Sequence, residues 1–236
     1  MLEKRAEKAS RYVFSICYFT WATAYGYYTL ADAPFLPWWL GGRGTWEALW
    51  TDAPYGDQHP GLLTYALLQL GYHFGDLLYH QFAAKRGSDY TEMLTHHICT
   101  SALLFTMIFS NYLRIGCLIS FQHDIADIPC SLTKYFVQTK YTTATLISFA
   151  TNMVVWGYTR NLLLPYVVWR IVGENLWMVA PFEEYWVIAA LTCVFLSVMA
   201  ALHYYWYYLF LCMLTKYQQK GEATDIHDEK KSQKSH

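Results

Sequence analysis

Six apolar stretches constrain this chain more than any other feature. They run over 12–30, 61–83, 93–109, 113–135, 142–164 and 185–214, each close to the roughly 20 residues with which a helix crosses a bilayer. Hydrocarbon offers backbone N–H and C=O groups no water, so spanning segments must satisfy them internally as helices or closed barrels. Stretches of this length, twice that of a barrel strand, select helices. The sequence therefore predicts an all-α polytopic membrane protein with six transmembrane helices. Only 15% of its residues are charged, against about 25% in soluble domains. A net charge of -1 gives no electrostatic footing for nucleic acid, so none is expected as a partner.

The basic residues set the orientation. With the N-terminus in the cytosol and the spans alternating, 13 of the 17 lysines and arginines fall on the cytosolic side, as the positive-inside rule asks. Both termini are then cytosolic. The chain divides into a cytosolic segment 1–11, a helical domain 12–214, and a charged, aromatic-poor tail 215–236 expected to be disordered. Between the first two spans lies a polar loop whose Trp38, Trp39, Trp46 and Trp50 resemble an interfacial belt. The fifth span is read to about Leu164, with Arg160 and Pro165 leaving its end open, and Pro129 is expected to kink the fourth. The six cysteines, all in apolar segments without metal-type spacing, read as small buried hydrophobes.

Within these apolar spans sit ionisable residues, which in a membrane mark a functional site by default. His73, Asp76 and His80 fall at i, i+3 and i+7, a stripe about 60° wide on the second span. The third span carries His96-His97. The fourth carries His123, Asp124 and Asp127, within an arc of about 100°. A very short link around Asn111 makes spans three and four an antiparallel hairpin. His97 lies 14 residues before it, Asp124 13 after and Asp127 16 after. At about 1.5 Å per residue these groups share one level of the membrane, in its cytosolic half.

Three chemistries suit such a layer. Interhelical hydrogen bonds are worth only about 0.6 kcal/mol on average in membranes, and hydroxyls or amides would provide them at lower desolvation cost. Histidines and carboxylates also bind metals, but His96-His97 is the only adjacent histidine pair and no repeated histidine box follows, so no metal is predicted. Acyl transfer is the third. An imidazole can act as base or nucleophile near neutral pH, and a carboxylate beside it can fix its tautomer and stabilise its cation. No G-x-S-x-G elbow is present.

The sequence Asp89-Tyr90-x-Glu92-Met93-x-x-His96-His97-x-x-Thr100, followed by Asn111-x-x-Arg114-Ile115-Gly116 and His123-Asp124-x-x-Asp127, resembles the Lag1 motif of the ceramide synthases, which lies in a TRAM–Lag1–CLN8 (TLC) domain. Thr159-Arg160, Leu164-Pro165 and Leu202-His203-x-x-Trp206 are similar to that family's later helices. The resemblance implies a six-helix bundle around a central lipid cavity in the endoplasmic reticulum membrane. It implies N-acylation of a sphingoid long-chain base by fatty acyl-CoA through an acyl-histidine intermediate, with acyl-CoA as co-substrate and no other cofactor. On that reading His96, His97, Asp124 and Asp127 are catalytic, with His96 the acylated residue. His123, His73, Asp76 and His80 support them, and Arg160, His203 and Trp206 bind substrate. The loop before the last helix, 174–184, is expected to tune acyl-chain length. Many members carry an additional N-terminal span, and some a homeobox-like region; this sequence reads as a compact or shortened member. The alternative is a non-catalytic TLC protein that binds or senses lipid. Acyl-chain length, the sphingoid base, and a homodimeric or regulatory-subunit partner are left open.

Overall fold

The computed structural model describes residues 2–53, 55–83, 87, 89–175 and 186–220. Helix α1 spans Leu2–Leu30, α2 Leu62–Phe82, α3 Tyr90–Phe109, α4 Leu113–Val137 and α5 Thr142–Trp156. The last of these runs through a π-helical segment, Gly157–Leu163, into α6, Leu164–Arg170, and a further π turn, Ile171–Asn175. Helix α7 covers Trp186–Lys220. Among the described residues the protein is all-helical, apart from one isolated bridge between Pro37 and Gly44.

Helix α4 is the central post. It packs on α1, α5 and α2, whereas α3 leans on α2 and α7. The short link does make α3 and α4 antiparallel neighbours in sequence, yet the two helices meet closely only beside it and diverge beyond. Helix α3 ends in a Schellman-type cap. Asn111 takes a left-handed φ of 57°, Tyr112 N–H donates to Met107 O at 2.9 Å and Asn111 N–H to Ile108 O at 3.4 Å. Just past this turn Gly116 abuts Met107: a Cβ there would meet Met107 Sδ at 1.9 Å and Met107 Cβ at 2.8 Å. Gly116→Ala is therefore expected to lower stability by about 1–3 kcal/mol, the range for overpacking. Thermal unfolding in detergent checks this, and Met107→Ala in the same chain should restore part of the loss.

Two sequence expectations are corrected. The fifth span does not end at Leu164. Proline lacks an N–H and clashes with the carbonyl four residues back, here that of Asn161. The helix accommodates this by loosening into π turns, and the freed Asn161 carbonyl accepts from Tyr204 Oη at 2.7 Å. In the same segment Thr159 O accepts from Gln122 Nε2 at 2.5 Å. The loop after α1 is not simply polar either. Leu36, Leu49 and Trp46 (5% exposed) belong to the core, while Trp38 stays 77% exposed. The loop forms a packed cap, and Arg114 fastens it to α4 by donating to the carbonyls of Ala48 (3.1 Å), Thr51 (2.8 Å) and Asp57 (2.8 Å). Among the cysteines, Cys99, Cys117 and Cys130 are buried as expected, but Cys17 is exposed.

Taken alone, one helix among the described residues is long and apolar enough to cross a membrane: α7 over Trp186–Lys216, with mean hydropathy 2.1. The others fall short for identifiable reasons. Charged residues open α1, polar stripes run along α2, α3 and α4, and α5 changes winding after 15 residues. Large apolar side chains nevertheless face outward on every long helix except central α4, among them Phe14, Phe82, Phe109, Val154 and Val187. Helix α4 continues unbroken through Pro129, whose carbonyl accepts from Thr133 Oγ1 at 2.8 Å.

Candidate active site

The divergence of α3 from α4 leaves two cavities inside the bundle. The first, about 150 Å³, extends toward the Asn111 end between walls of Leu103, Leu104, Ile119, Leu164, Leu196 and Met199. The second, about 290 Å³, runs toward the opposite end, past Phe149, Trp156 and Trp206, to Asp89, Thr133, Lys134 and Gln138. Three residues line both: His96, Asp127 and Arg160. They come from α3, α4 and the π segment after α5, and form the partition between an apolar chamber and a more polar one.

Arg160 is the electrostatic centre of this partition. Its Nη2 lies 2.7 Å from Asp127 Oδ2 and donates to His123 O at 3.2 Å. Its guanidinium sits 4.2 Å above the Trp156 ring. A buried guanidinium needs this kind of compensation, because an unpaired charge in low dielectric is prohibitively costly.

The imidazoles form a connected layer. His123 Nδ1 lies 2.7 Å from Ile119 O. A carbonyl only accepts, so Nδ1 carries the proton and Nε2 of neutral His123 is the acceptor. That Nε2 lies 3.1 Å from His203 Nε2, which must then be the donor, leaving the buried His203 Nδ1 a free lone pair. His203 is fully buried, and the His96 ring is 6.1 Å from it and 5.3 Å from Trp206. His96 Nδ1 is buried with no hydrogen-bond partner. An unpaired polar atom of this kind is costly unless something else uses it.

Other predicted residues lie elsewhere. His97 turns away from both cavities toward α2, where its Nε2 is 3.7 Å from Asp76 Oδ2 and its ring 5.3 Å from His80. His80 Nε2 in turn lies 3.0 Å from Tyr90 O. Asp76 keeps 40% of its side chain exposed. His73 joins His96, His123 and Asp127 in the apolar cavity. Asp124 faces α2: its Oδ2 accepts from Tyr65 Oη at 2.5 Å and from Gln69 Nε2, and it lines neither cavity. The two aspartates of the fourth span thus have different surroundings, one a cavity and one a helix–helix contact. Among the described residues no three His, Cys, Asp or Glu side chains converge as a metal would require. The loop 174–184 lies largely outside the described residues.

Sequence reading missed Tyr65 and Gln69, although a signal existed. They continue the His73, Asp76, His80 stripe toward the start of α2 at i, i+4 and i+8. It also missed Trp156, which carries the guanidinium, and Asn152, whose buried Oδ1 has no partner where it lines the second cavity.

The family profile of the TLC domain matches residues 8–212. The chain belongs to the TLC domain family. Relatives of this TLC domain include ceramide synthase 4 of Bos taurus, 28% identical over 94% of the chain and 53% of the relative. They include also ceramide synthase 5 of Homo sapiens, 25% identical over 94% and 53%, and ceramide synthase hyl-1 of Caenorhabditis elegans, 24% identical over 94% and 61%. The chain spans about half the length of the relatives it matches.

Proposed function

We propose that this TLC domain is a six-span bundle of the endoplasmic reticulum membrane, with both termini cytosolic, and that it is a ceramide synthase. It transfers a fatty acyl group from acyl-CoA to the amine of a sphingoid long-chain base. One observation carries the reading: His96 stands, with Asp127 and Arg160, in the wall common to an apolar cavity and a more polar one. That arrangement suits acyl transfer from a thioester, with the chain on one side, the polar carrier on the other and a nucleophile between. Outward-facing Phe, Val and Leu side chains support the membrane setting, and the similarity to ceramide synthases supports the substrate class.

The chemistry balances in two steps. A ring nitrogen of His96 attacks the thioester carbonyl carbon, the C–S bond breaks, and the proton given up by the other ring nitrogen of His96 passes to the departing CoA thiolate. The sphingoid amine then attacks the acyl-imidazole carbon, the C–N bond to His96 breaks, and the amine proton returns to the His96 ring, which is restored as neutral imidazole. Arg160 stabilises the oxyanion formed in each attack, and Asp127 holds Arg160 in place. The histidine layer offers the proton a resting place in transit, the unprotonated Nδ1 of His203.

Intact mass of the purified protein after incubation with a fatty acyl-CoA tests this. The expected result is a gain of one acyl group on His96, discharged as ceramide when sphinganine is added. Stable, folded protein that neither gains mass nor makes ceramide overturns the catalytic reading and leaves a lipid-binding protein.

A further inference from the structure

We infer that Trp50, on the loop between α1 and α2, is the floor of the apolar cavity and sets the length of acyl chain it admits. The inference rests on the acyl-transfer reading above and adds a specificity-determining residue to it. The cavity has His96 and Asp127 at one end and Trp50, Tyr112 and Ile115 at the other. Along α3 its lining runs from His96 to Met107 and along α4 from Asp127 to Ile115, about 16–18 Å at the helical rise. An extended alkyl chain with C–C bonds of about 1.5 Å advances about 1.25 Å per carbon. About 13 carbons then lie between the partition and the floor.

Trp50 is the largest side chain at that end, and it comes from the cap rather than from a wall. It is also held firmly. The two Arg114 bonds to Ala48 O and Thr51 O bracket it on either side, its own N–H donates to Glu47 O at 3.1 Å, and its ring lies 6.3 Å from that of Trp46. Meanwhile its indole Nε1 is buried without a hydrogen-bond partner. A buried N–H without an acceptor costs free energy, so the position does not keep an indole for its hydrogen bond. What the cavity uses is its bulk.

The experiment offers purified full-length protein a mixture of saturated acyl-CoAs from short to very long chains with sphinganine, and reads the ceramides by mass. Trp50→Ala is expected to shift the preferred chain about four carbons longer, the length of the indole it removes at about 1.25 Å per carbon. Trp50→Leu should shift it less and Trp50→Phe least. An unchanged distribution in these variants, with wild-type protein active, overturns the inference while the acyl-transfer reading stands. If Trp50→Ala does not fold, the graded order of Leu and Phe decides in the same way. No ceramide from wild-type protein at any chain length overturns both.

Discussion

His96→Ala is expected to lower ceramide formation by at least about 10³-fold, the scale on which enzymes lose rate when a nucleophile or general base is removed. His97→Ala is expected to cost about 10²-fold or less, the scale for a catalytic group displaced by its neighbour. The difference follows from where the two adjacent residues face. One ring stands in the wall shared by both cavities, and the other packs toward Asp76 and His80. Ceramide assays on both variants check the ratio, and intact mass separates the causes. The His96 variant should carry no acyl group on exposure to acyl-CoA, while the His97 variant should still acquire one. Equal losses with no adduct in either variant would make the pair a unit and remove the assignment of a single nucleophile.

The second large effect concerns stability. Arg160→Met removes the partner of Asp127 from a site where the arginine side chain is 3% exposed and the aspartate 20%. Breaking such a pair from one side leaves an uncompensated charge, and costs about 3–5 kcal/mol. Adding Asp127→Asn removes that charge, so the double variant should recover most of the loss in thermal unfolding. Activity should not return, because the oxyanion then has no guanidinium beside it. If Arg160→Met unfolds at the wild-type temperature, the ion pair does not hold the partition together.

Much of this was legible in the sequence because membrane helices turn spacing into position so directly. Counting 1.5 Å per residue from the Asn111 link placed His97, Asp124 and Asp127 at one depth; of these the structure brings Asp127 to the apolar cavity, together with His96 and His123, each one residue from a counted position. Angular counting on one helix was weaker. It grouped Asp124 with Asp127 on a common face, but which neighbour each end of a 100° arc meets depends on the order of helices round the bundle, and α2 takes Asp124. A short link likewise says that two helices are adjacent in sequence, not that they stay in contact. The fate of Pro165 was illegible for a different reason. Whether a proline stops a helix or loosens it depends on whether the freed carbonyl finds another donor, and Tyr204 stands 43 residues away in sequence.

The link at Asn111 works as the pivot of a pair of callipers. Gly116 lies five residues beyond it and His96 fifteen before it, about 7.5 Å and 22 Å along their helices. If the two helices move as rods, a spread of about 1 Å at the glycine is magnified about threefold at the imidazole. A single methyl group close to the pivot would then act on the reacting atoms by leverage, through Met107 at the far end of the same cavity.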